Sequence, residues 1–84
     1  MTEIIVLGPG CPKCIRLEEM CNEAVTKLQA EATVQKVMDP DEFTKHGVWL
    51  TPALIINGTL KVQGKLPVPT TLEQWIRTAT PAKG

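Results

Sequence analysis

Two of the chain's three cysteines, Cys11 and Cys14, lie in the run Gly8-Pro9-Gly10-Cys11-Pro12-Lys13-Cys14, between an apolar strand-like segment and a long helical pattern. Thiols at i and i+3 at the start of a helix share one face, with Cα atoms roughly 5 to 6 Å apart, so a disulfide closes without moving the backbone. A bridge across so short a loop restricts the unfolded chain less than the ~3 kcal/mol expected of a loop of about 15 residues. It is a weak staple and a better switch.

Pro12 fits the first helical position, where a missing N–H costs nothing and a fixed φ helps. Cys11 is then the N-cap, its sulfur facing unpaired backbone N–H groups and the positive end of the helix dipole, with the Lys13 cation close by. All of these favour the thiolate, so Cys11 is the expected nucleophile, with Gly10, Pro12 and Lys13 shaping the motif and tuning its pKa. Cys14 begins the stripe Cys14, Leu17, Cys21, Ala24 or Val25, Leu28, whose spacing turns one helix face to a core. A buried, less acidic Cys14 suits the second step of an exchange, in which it attacks Cys11 and releases a mixed disulfide. A pair of thiolates at a strand-to-helix junction is also how soft metals such as Cu(I), Hg(II) or As(III) are held, and a carrier of that kind is the alternative.

The elements around the motif follow from periodicity. Glu3 to Leu7 reads as a strand covered on both faces, and a helix follows from about Pro12 to about Gln29, with Lys13, Arg16, Glu19, Glu23 and Lys27 turned to solvent. Thr33 to Met38 is a second strand. Asp39-Pro40-Asp41-Glu42 caps a short helix anchored by Phe43 and stopped at Gly47. Ala53 to Ile56 and Thr59 to Val62, joined by Asn57-Gly58, form a hairpin, since both turn positions need φ above zero. Thr70-Thr71-Leu72-Glu73 is a capping box for a last helix with Leu72, Trp75, Ile76 and Ala79 on its apolar face. The order is β-α-β-α-β-β-α, a parallel start and an antiparallel finish.

At 84 residues with 43% hydrophobic content the chain is one domain, 1–84, with 79–84 expected as a frayed tail. Nine basic residues balance nine acidic ones without runs of either sign, which leaves no footprint for nucleic acid or an anionic membrane. Ile4 to Leu7 is too short for a signal-peptide core or a span. Three cysteines do not make a secreted disulfide framework, and a C-x-x-C pair in a reducing compartment is catalytic or metal-binding. The expected location is the cytoplasm.

The C-x-x-C pair at a strand-to-helix junction, with Thr51-Pro52 ahead of a hairpin, resembles the thioredoxin fold. The stretches G-P-G-C-P-K-C-I-R-L-E, E-A-V-T-K-L and G-V-W-L-T-P-A-L-I-I-N-G are similar to the glutaredoxin-sized, thioredoxin-like redox-active disulfide proteins of bacteria and archaea, over essentially residues 3 to 77. The resemblance implies an α/β thioredoxin fold with a four-stranded mixed sheet flanked by helices. It implies that Cys11 is the exposed nucleophile, Cys14 the resolving cysteine and Pro52 a cis proline packed against the pair, with Thr51 offering its backbone to an extended client. Pattern alone would make Pro52 a trans residue opening a strand. The chain departs from conventional thioredoxins in carrying Gly10 where they place a Trp before the first Cys, and aliphatic residues around Ile5 where they place a buried Asp. It departs from conventional glutaredoxins in having Lys13 in place of the Tyr inside the motif and a lone Gly64 in place of Gly-Gly-Asp.

Other residues have two readings. Cys21 lies about 10.5 Å along the axis from Cys14, too far to share a disulfide or a tetrahedral metal, and belongs to the core. His46 is a solvated residue at a helix end, and Trp75 a core residue. Trp49 either contributes to a client-binding surface beside the cysteines or packs on the short helix. The expected function is that of a thiol-disulfide oxidoreductase, using no cofactor, acting as a monomer on disulfide-bearing protein or small-molecule clients and, as the resemblance implies, recharged by a thioredoxin reductase-like enzyme.

Overall fold

The computed structural model describes residues 2–79. Strand β1 (Thr2–Leu7), helix α1 (Pro12–Leu28), β2 (Ala32–Val37), α2 (Pro40–Lys45), β3 (Ala53–Ile56), β4 (Thr59–Gln63) and α3 (Pro69–Ala79) follow in the expected order. They build one four-stranded mixed sheet, β2-β1-β3-β4. β1 pairs parallel with β2 from Thr2 with Ala32 to Leu7 with Val37, and antiparallel with β3 from Ile4 with Ile56 to Leu7 with Ala53.

Central β1 and β3 are covered on both faces, as their unbroken aliphatic runs require. On one face Ile4, Val6, Leu54, Ile56 and Val62 meet Leu17, Met20, Cys21 and Ala24 of α1 and Leu72 and Ile76 of α3. The other carries a smaller cluster of Leu7, Val48, Ala53 and Ile55, with Phe43 packed at its margin. Phe43, the expected anchor of α2, is only half-buried, and the residue that closes this face is Val48, just beyond the helix.

Three helix ends show how local chemistry sets these contacts. α1 stops without a glycine because Gln29 itself takes the left-handed conformation, φ 51°, so that Gln29 N–H reaches Thr26 O and Ala30 N–H reaches Val25 O. α2 ends in the same way with Gly47 at φ 73°, and Val48 N–H bonds Phe43 O at 2.8 Å, which draws Val48 inward. The expected capping box of α3 does not form. Pro69 starts that helix earlier, Leu72 N–H bonding Val68 O, and Glu73 instead pairs with Lys27 of α1 at 3.3 Å.

At the turn Asn57 and Gly58 have φ of 50° and 81°. The Asn57 side chain accepts from Glu3 N–H at 2.9 Å and donates to Ala79 O at 3.4 Å, tying the turn to β1 and to the last helix. Ala79, where the frayed tail was expected to begin, is helical, and residues 80–84 lie outside the described residues. Among the described residues no helix is long and apolar enough to cross a membrane.

Candidate active site

The register of the sheet gathers the expected site residues at one end. β1 and β2 finish there at Leu7 and Val37, while β3 begins there at Ala53, which pairs with Leu7 on one side and with Gln63 on the other. The residues that step off these strands are therefore neighbours: Gly8 to Cys11 after β1, Met38 after β2, Thr51-Pro52 before β3, and Gly64 after β4.

Gly8 prolongs the ladder by one bond, its N–H reaching Val37 O at 2.9 Å. Any side chain here would collide with the site, since a Cβ on Gly8 would fall onto Cys14 Sγ and 2.8 Å from Cys14 Cβ. Gly10, at φ 96°, makes the turn into the helix, and a Cβ there would lie 3.1 Å from Met38 Cε. Both glycines are what allow the sulfurs to lie against the sheet end.

Cys11 is the N-cap of α1, with φ −67° and ψ 162°, and Pro12 occupies the first turn. Its carbonyl accepts from Ile15 N–H at 3.0 Å and its sulfur accepts from Cys14 N–H at 3.3 Å. The Cys11 pKa is lowered from the ordinary thiol value, first by the hydrogen bond from the Cys14 side chain and then by the Cys14 amide, with smaller help from the backbone of Lys13 and of Cys11 itself. Lys13 contributes to this lowering through its backbone N–H. Cys14 is 1% exposed, and its pKa is raised, chiefly by burial and then by donating to and facing the Cys11 sulfur. Cys21 is fully buried and its pKa is pushed up to about 12, mainly by burial, so it belongs to the core. All three cysteines are free thiols.

The causes of the Cys14 shift are burial, Cys11 and the Gly10 backbone, with no carboxylate of the described residues among them. Thr2 is the one buried polar side chain among the described residues, and it lies at the far end of β1. Among the described residues there is no group of three or more His, Cys, Asp or Glu side chains placed to hold a metal ion.

The Thr51–Pro52 peptide is cis, Pro52 is buried and Thr51 is half-buried. Trp49 is 87% exposed, which removes the reading in which it packs on α2, and Leu50 beside it is 60% exposed. Both of their amides donate to Gln63 Oε1, at 2.9 and 3.3 Å, while Gly64 N–H bonds Pro52 O at 2.9 Å. The peptide groups of Thr51 have no partner among the described residues. His46, the C-cap of α2, is exposed.

Residues 2–77 match the family described as the thioredoxin domain. The chain belongs to the thioredoxin family. It is 33% identical over 66 residues to thioredoxin from Methanothermobacter thermautotrophicus, covering 79% of this chain and 86% of that one. Its fold is that of mitochondrial thioredoxin 3 from Saccharomyces cerevisiae in the oxidized form, with a TM-score of 0.67 at 17% identity, covering 92% of this chain and 77% of that one. A mutant thioredoxin from Halobacterium salinarum matches with the same TM-score at 20% identity, covering 99% and 78%. Family membership and the intact Cys11 and Cys14 pair make the chain a thiol-disulfide oxidoreductase in the general sense.

Four residues of the site carry no functional signal in the sequence. Sequence pattern places Gly8 in a loop and Met38 at a strand end, and it gives Leu50 and Gln63 no role. The Gly-Pro-Gly run could have marked Gly8 as a place of close backbone approach. Nothing in the sequence points to Gln63.

Proposed function

We propose that the chain reduces disulfides of protein or small-molecule clients, with Cys11 as the nucleophile and Cys14 as the resolving cysteine. The observation that carries this reading is the asymmetry of the pair: Cys11 Sγ caps a helix and accepts from Cys14 N–H at 3.3 Å, whereas Cys14 is 1% exposed.

The Cys11 thiolate attacks one client sulfur. The client S–S bond breaks, the other client sulfur leaves as a thiolate and takes a proton, and a Cys11–client mixed disulfide remains. Cys14, losing its proton, then attacks Cys11 Sγ and expels the second client thiolate. Two electrons have passed to the client, and the chain holds a Cys11–Cys14 disulfide. An upstream enzyme of the thioredoxin reductase type returns the two electrons.

Gly10 and Pro12 set the turn and the helix start, and Lys13 lends its backbone N–H to the Cys11 thiolate. Thr51, Pro52 and Trp49 receive the client: the unpartnered peptide groups of Thr51 suit an extended segment and the exposed indole of Trp49 suits its apolar side chains. A monomer in the cytoplasm, where such a pair is kept reduced, fits this role.

Insulin reduction coupled to thioredoxin reductase tests the reading. The wild-type chain should turn over and Cys11→Ser should not. Failure of the wild type, or activity surviving in Cys11→Ser, would sink it.

A further inference from the structure

β4 carries an irregularity that matters to the site. Leu54 pairs with Val62 but the next residue, Ile55, pairs with Leu60, so Lys61 is an extra residue in the strand. The consequence appears in the packing: Leu60 joins the Leu7, Val48, Ala53 and Ile55 cluster, while Val62, two residues on, joins the opposite cluster under α1 and α3. In a regular strand residues two apart share a face. The bulge therefore turns Gln63, opposite Ala53, to the face along which Val48, Trp49 and Leu50 run.

There its Oε1 accepts from both Trp49 N–H and Leu50 N–H. Gly64, at φ 79° with Leu50 Cβ 3.0 Å from where its own Cβ would be, follows the same loop closely and bonds Pro52 O. The end of β4 thus takes up the loop's polar groups on either side of Thr51 and leaves those of Thr51 unused.

Resting on the reductase reading above, we propose that Gln63 is a positioning residue for protein clients, holding the 49–52 segment so that the Trp49 and Leu50 side chains and the Thr51 peptide groups are presented to an extended chain beside Cys11. Gln63 touches neither sulfur nor client. A client too small to reach the loop should not sense it.

Gln63→Met keeps the length of the side chain and removes the acceptor, whereas Gln63→Glu keeps an oxygen able to accept both amides and strengthens those bonds. Three readouts separate positioning from mere structure: kcat and KM for insulin, the rate with the small aromatic disulfide 5,5′-dithiobis(2-nitrobenzoate), and amide hydrogen exchange of the 48–51 peptide. Gln63→Met should raise KM for insulin about 3- to 30-fold, as expected when one or two hydrogen bonds no longer hold the competent loop, with kcat little changed. Its rate with the small disulfide should stay within about twofold of wild type, exchange at Trp49 and Leu50 should quicken, and Gln63→Glu should return KM and exchange toward wild-type values. Wild-type KM in Gln63→Met, equal losses with both substrates, or unchanged exchange would each overturn the proposal. A wild-type chain that reduces neither substrate would instead overturn the reductase reading, and quickened exchange in Gln63→Met would still report the loop contact.

Discussion

The backbone amide of Cys14 donates to the sulfur of Cys11 across 3.3 Å, so the buried cysteine of the pair steadies the accessible one as a thiolate. Position in the helix divides the labour: the N-cap sulfur is bathed in first-turn N–H groups, and the sulfur one turn on is turned under the sheet end. Two residues of identical chemistry acquire opposite pKa shifts.

Alkylation should report that split. Iodoacetamide at neutral pH should label Cys11 of the reduced folded chain well before Cys14 or Cys21, because the thiolate is the reacting form. The rate at Cys11 should rise through a pKa below the ordinary thiol value, in the direction the Cys14 hydrogen bonds impose. Peptide mapping by mass spectrometry checks it, and equal labelling of Cys11 and Cys14 would contradict the geometry.

Gly8→Ala tests the close approach beneath Cys14. The new Cβ would overlap Cys14 Sγ, and neither the strand end, bonded to Val37 O, nor the helix has slack to yield. The expected cost is about 1–3 kcal/mol, the usual penalty for overfilling a packed site. A slower second step should accompany it, seen as accumulation of the Cys11–client species. Urea unfolding and quenched-flow trapping measure the two effects.

Cys21 predicts an alkaline weakness. Its folded pKa of about 12 lies above the ordinary 9.0, so its contribution is fully present below pH 9. Between pH 9 and 12 the folded chain keeps a proton that the unfolded chain has released, and stability falls as pH rises, by at most about 1.4 kcal/mol per pH unit from this group. Cys21→Ala should cost on the order of 1 kcal/mol at neutral pH through lost packing yet decline less steeply in alkali. Cys14, whose pKa is also raised, and the lysines are common to both chains, so the difference between the two urea-unfolding curves isolates Cys21.

What could be foreseen from the sequence was what local chemistry decides. Pro12 after Cys11, Asp39 before Pro40 and Asn57-Gly58 each make a turn or cap with their own atoms, and each is found where expected. The Cys14, Leu17, Cys21, Ala24 stripe is buried for the same reason, since helical spacing alone assigns its face. The expectations that failed depended on competition between elements. Thr70 and Glu73 had the types for a capping box, but Pro69 began the helix first and Lys27 offered Glu73 a partner.

The bulge at Lys61 was invisible because Thr-Leu-Lys-Val-Gln alternates as a regular strand would. Only the demands of two different cores on Leu60 and Val62 reveal the slip. Trp49 was undecided for a similar reason: whether an aromatic in a short connection packs or projects depends on Val48, which the Gly47 turn pulls inward.

Trp49→Ala then isolates the projecting side chain. At 87% exposure its loss should change stability by no more than about 0.5 kcal/mol. KM for insulin should rise about 3- to 10-fold, in line with ~1 kcal/mol for an aromatic contact. Thermal unfolding beside steady-state kinetics separates the two, and an unchanged KM would remove Trp49 from the client surface.

The most direct test of the central claim is to trap the exchange half-way. Cys14→Ser and Cys11→Ser, each in the reduced form, are mixed with an excess of a disulfide-bearing peptide and analysed intact by mass spectrometry after acid quench. Cys14→Ser should carry one peptide on Cys11, stable because no second thiolate resolves it, whereas Cys11→Ser should remain unmodified in the folded state. Adducts on Cys14 in the Cys11→Ser chain at a comparable rate would contradict the account, since the buried sulfur would then be as free to attack as the one that caps the helix.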